Sequence, residues 1–68
     1  MLKAKFALTA KETQEYINRS DLTGTFLVEP TTYDEKRCNV VSDNLSIMAL
    51  IGFMAGENQA ALLDVTRL

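Results

Sequence analysis

Between Leu45 and Ala55 the chain carries no charged residue, and Leu45, Ile47, Met48, Leu50, Ile51, Phe53 and Met54 fall on every side of a helix drawn through the segment. A helix that is apolar all round needs cover on more than one side. The whole sequence is 68 residues long, room for one domain and one core, and a chain of this size buries only about 60% of the surface its unfolded form exposes. Crossing a bilayer takes about 20 apolar residues, so this run, broken by Gly52 and flanked by polar residues, is read as part of a soluble fold. The start Met1-Leu2-Lys3-Ala4-Lys5 has no continuous apolar stretch of the secretory kind, so the expected location is cytoplasmic.

Periodicity supplies the remaining elements. Leu2, Ala4, Phe6 and Leu8 alternate with Lys3, Lys5 and Ala7, the period-two pattern of a strand with one buried face. Thr9-Ala10-Lys11-Glu12 is a capping box that predicts a helix over 10–20, amphipathic with a narrow apolar stripe. Thr25-Phe26-Leu27-Val28 predicts a second strand stopped by Pro30, and Cys38 to Val41 a third after a polar loop. Ser42-Asp43-Asn44 offers caps for the apolar helix, which Gly56 is expected to end in the left-handed conformation. Ala60 to Val65 reads as a fourth strand. The order β-α-β-β-α-β predicts an α+β open-faced sandwich of ferredoxin-like type, a four-stranded antiparallel sheet with two helices on one face.

Composition narrows the chemistry. There is no histidine, which removes serine triads, Cys/His dyads, the common zinc sets and phosphohistidine relays. The one cysteine, Cys38, cannot close an internal disulfide and reads as a small core residue. Seven basic against nine acidic residues give a net charge of −2 with no basic stripe, so nucleic acid is not an expected partner. Glu12 and Glu15 read as a cap and a solubilising charge, and Asp34-Glu35-Lys36-Arg37 as a solvated loop. The isolated glycines 24, 52 and 56 make no phosphate-cradling loop. No enzyme, cofactor or metal site is expected.

The surplus of apolar surface is the functional clue. With Leu50, Phe53 and Met54 turned inward, Ile47, Met48 and Ile51 form a patch near the helix start, suited to a protein contact or to a homodimer. Ser46, in the first turn, is either a plain helix cap or a position where phosphate would be locally stabilised and would add about two negative charges beside that patch.

The segment Asn44-Leu45-Ser46-Ile47-Met48-Ala49-Leu50-Ile51-Gly52-Phe53-Met54-Ala55-Gly56 resembles the regulatory-serine region of the histidine-containing phosphocarrier protein (HPr) family of the sugar phosphotransferase system, most closely in Ser46-Ile47-Met48. Lys5-Phe6-Ala7-Leu8-Thr9-Ala10 is similar to that family's first strand. The family's Gly-x-His-x-Arg-Pro loop is missing, since Thr9 leads straight into the helix, and Leu45 stands where lysine is common. The resemblance implies an HPr-like open-faced sandwich without phosphoryl transfer. It further implies a regulatory docking module whose partners are phosphotransferase-system components or a transcriptional regulator, with Ser46 a kinase target. A ferredoxin-like module that self-associates, for structure or for ligand sensing, is the alternative.

Overall fold

The computed structural model describes residues 1–31 and 36–68. Its order is β1 (Leu2–Phe6), α1 (Ala10–Arg19), β2 (Leu27–Pro30), β3 (Cys38–Ser42), α2 (Asn44–Glu57) and β4 (Leu62–Arg67). The strands form one antiparallel sheet in the order β2-β3-β1-β4. β3 thus lies between β1 and β2, and β1 between β3 and β4, so two split β-α-β units interleave in the ferredoxin-like manner. No helix among the described residues is long and apolar enough to cross a membrane.

Side-chain alternation decides which face of the sheet is dry. Ala4 and Phe6 of β1 and Cys38 and Val40 of β3 are fully buried, and with Leu8, Ile47, Leu50, Met54 and Ala61 they make the core. Lys3, Lys5 and Asn39 point to the opposite, helix-free face. The core therefore sits between the two central strands and the helices.

α1 begins as its sequence pattern predicts. Thr9 Oγ1 accepts from the Glu12 N–H at 3.0 Å, and Glu12 Oε1 accepts from the Thr9 N–H at 3.2 Å, which completes the capping box. This helix packs over β2 and β3, and its one fully buried residue is a threonine. Thr13 Oγ1 lies 3.0 Å from Cys38 Sγ, so the hydroxyl is satisfied beneath the helix and ties α1 to β3. Burial pushes the Cys38 thiol above its ordinary pKa, so it stays neutral.

Three element boundaries differ from the sequence expectation. β2 starts at Leu27 and includes Pro30, which an edge strand tolerates because one side of it needs no ladder donors. β4 starts at Leu62 and runs to Arg67, two residues later than its apolar run suggests, with a bulge opposite Lys5 and Phe6 that leaves Leu63 unpaired. α2 continues through Gly56 to Glu57 and ends when the Asn58 N–H bonds Met54 O at 2.7 Å, so Gly56 is a helical residue and not a left-handed stop.

Candidate functional site

α2 is capped by Asp43, whose carboxylate accepts the Ser46 N–H at 2.8 Å. The helix buries Ile47, Leu50 and Met54, a stripe at spacings of three and four laid over β1 and β3. This corrects the expected patch at one position. Ile47 is 0% exposed and belongs to the core, while Phe53, expected inward, is only partly buried. With no polar side to orient it, a helix apolar all round gives no sequence signal for which stripe faces the sheet, and packing chose Ile47 over Phe53.

The other two patch residues lie toward the surface. Met48 is 55% exposed, and Ile51 is partly buried on the core's margin. Leu45, which was not assigned to the patch, is the most open large apolar side chain among the described residues, at 85%. Ala49, Gly52, Ala55 and Gly56 are exposed with them, so from Leu45 to Gly56 the outer face of α2 holds no charge. The signal that could have found Leu45 was its position five residues before Leu50, about 500° around a helix and hence well away from the buried stripe.

Ser46 marks one flank of the helix. Its Oγ lies 2.9 Å from Asp43 Oδ2 and 3.2 Å from Thr23 O, in the loop that follows α1, and its single proton serves one of them at a time. Gly24 packs directly on this serine with a φ of +120°, and a Cβ there would collide with Ser46 Oγ. The hydrogen bonds from Ser46 hold the Asp43 carboxyl below its ordinary pKa, so it is ionised. A phosphate on Ser46 would sit against that carboxylate and break the contact with Thr23. The observed role of Ser46 is a tie between loop and helix.

The opposite flank looks over the edge of the sheet. Ile51, Met48 and Ala55 lie about 140–180° around the helix from Ser46, on the side away from the α1–β2 loop and toward β4. Pairing of Val65 with Ala4 and of Leu62 with Phe6 places both β4 residues on the helix side of the sheet. α2 approaches β4 but covers them only in part, leaving Leu62 40% and Val65 39% exposed. Arg67, paired with Leu2, lies on the same side as Val65, so the helix side of β4 mixes partly covered apolar residues with a charge.

The remaining candidates have ordinary roles. Glu12 serves the cap of α1, and its pKa lies below the usual value mainly because of the bonds from Thr9. Its Oε1 is also 3.7 Å from exposed Lys36 Nζ, whereas Glu15 is exposed, so the two glutamates form no working pair. Asp34 and Glu35 lie outside the described residues. On the helix-free face Lys3, Lys5, Asn39, Asp64 and Thr66 line a hollow of about 200 Å³. Among the described residues no three of Cys, Asp or Glu come together as metal ligands.

No family model, no curated protein and no solved structure matches this chain.

Proposed function

We propose that this chain is a non-catalytic docking domain that binds protein through the outer face of α2. One observation carries the reading: Leu45 and Met48 stand exposed on a helix face that holds no charge from Leu45 to Gly56. Water contact with so much apolar surface is unfavourable at roughly 25 cal/mol per Å², and contiguous patches of this kind on soluble domains mark contact sites. The resemblance of Asn44–Gly56 to the regulatory-serine helix of the phosphocarrier family supports docking at this helix and implies phosphotransferase components or a transcriptional regulator as partner classes. The chain's lack of histidine leaves no acceptor for that family's transfer chemistry. Docking here needs no change at Ser46.

A photo-crosslinking residue in place of Ala49, on the outer face of α2, tests the proposal in cells. The same residue in place of Glu15, on the exposed face of α1, is the control. Adducts are expected from position 49, absent from position 15, and lost when Leu45→Glu is added. Equal crosslinking from both helices, or none from α2, overturns the docking function.

A further inference from the structure

We infer that the helix-free face of the sheet binds an acidic amino acid, a ligand with two carboxylates and one ammonium. The site is separate from the docking face of α2 and goes beyond that role. It is the hollow of about 200 Å³ lined by Lys3, Lys5, Asn39, Asp64 and Thr66. Three neighbouring strands supply these residues. Pairing sets Lys5 between Asn39 of β3 and Asp64 of β4, and Lys3 beside Thr66 of β4. Residues paired across strands share a face of the sheet, as do residues two apart on one strand, so the five side chains converge. β1 is a central strand and gives both lysines a fixed base.

Each of the polar groups has bonding capacity left over. Lys3 and Lys5 are partly buried, yet among the described residues neither makes an ion pair. Asn39 Oδ1 is buried without a hydrogen-bond partner, a state that polar atoms of folded proteins rarely keep. No bond among the described residues holds this amide, and the last torsion of asparagine is broad, so the oxygen can turn to a donor in the hollow. Asp64 is already held: the Val65 N–H donates to its Oδ1 at 2.9 Å, and the Thr66 hydroxyl donates to its Oδ2 at 3.5 Å. A carboxylate offers about four lone-pair positions, so a further donor finds room.

Charge decides the class of ligand. The lining carries two ammoniums and one carboxylate. A ligand that answers all three sets one carboxylate on each lysine and its ammonium between Asp64 and Asn39 Oδ1. An acidic amino acid has that set of groups, and the hollow, smaller than the roughly 300–1,000 Å³ of drug-sized ligand sites, suits a molecule of its size. A phosphate or a plain dicarboxylate has no ammonium and meets Asp64 as a like charge, with Glu29 of β2 on the far side of Asn39. Charges open to solvent on one side bind weakly, so the expected dissociation constant is of about millimolar order.

The test follows the backbone amide resonances of the isotope-labelled full chain while L-glutamate, glutarate or inorganic phosphate is added to about 30 mM at constant ionic strength. Glutamate should give saturable shifts centred on Lys3, Lys5, Asn39, Asp64 and Thr66, with glutarate and phosphate at least ~10-fold weaker. Lys5→Met and Asn39→Leu should each weaken glutamate at least ~10-fold, while the resonances of the helices stay in place and show the fold intact. No saturable shift with glutamate overturns the site. Glutarate or phosphate binding as well as glutamate reveals an unselective anion patch and overturns the acidic amino acid. Glutamate binding unmoved in both variants puts the ligand elsewhere and overturns the assignment as well. None of these outcomes bears on crosslinking from position 49, so the site and the docking role stand or fall separately.

Discussion

The two helices do the same architectural work with opposite outer surfaces. Each connects two strands of a split β-α-β unit and covers part of one sheet face. α1 shows water Lys11, Gln14, Glu15, Asn18 and Arg19, and its surface is organised by polar contacts: Gln14 Nε2 donates to Asn18 Oδ1 at 3.0 Å, and the Arg19 guanidinium lies 4.7 Å from the Tyr16 ring centroid. Between Asn44 and Glu57 at its ends, α2 shows water Leu45, Met48, alanines and glycines. The sheet asks only for an inner stripe, so the outer faces were free to diverge. A solvated face on one helix and an unsolvated one on the other separates what folding requires from what a partner requires.

The largest effect expected of a substitution tests the division within α2. Ile47→Ala should destabilise by about 2–5 kcal/mol, as deletion of a buried isoleucine does, while Ile17→Ala on the partly buried stripe of α1 should cost less; paired urea melts measure both. Equal costs would mean that the two inner stripes contribute alike. Next is the loop that joins the halves. Gly24→Ala should cost about 1–3 kcal/mol from backbone strain alone, with more from the collision with Ser46, read as a lower midpoint in the same melts.

Both helices start on a cap, and here they should respond alike. Thr9→Ala and Asp43→Ala should each cost about 1 kcal/mol. Glu12 and Asp43 have pKa values lowered in the folded state, so their contribution is fully present above the unfolded values near ~4 and is lost as pH falls through the lower folded values. Stability measured from neutral pH down to pH ~3 should therefore decline more shallowly in Thr9→Ala and Asp43→Ala than in the parent. The smallest effect should come from the outer face. Met48→Gln is expected within about 0.5 kcal/mol of the parent in monomer stability, and Gly52→Ala, with nothing near its new methyl, should stabilise by up to about 1 kcal/mol. A large loss from Met48→Gln in dilute monomer would end the contrast between inner and outer faces.

Legibility followed the strength of local pattern. β1 and α1 could be read almost to their ends, because strict alternation and a complete capping box are properties of adjacent residues. The edge strands β2 and β4 were displaced by two residues because each is paired on one side only and neither has a clean period, Leu62 and Leu63 being consecutive. At the candidate site the sequence revealed the surplus of apolar residues but not their placement: Met48 is exposed, Ile51 is only partly buried, Ile47 lies in the core, and the exposed Leu45 had no part in the expected patch. The link from Ser46 to Thr23 and Gly24 joins residues more than twenty apart and has no local signature.

The thiol of Cys38, sealed under α1 by Thr13, has a practical consequence. A bulky disulfide reagent can reach it only after α1 lifts from β3, so the rate of labelling in native buffer reports how often that half opens. Because the chain has no other thiol, a single colour change in time would clock one helix leaving its bed.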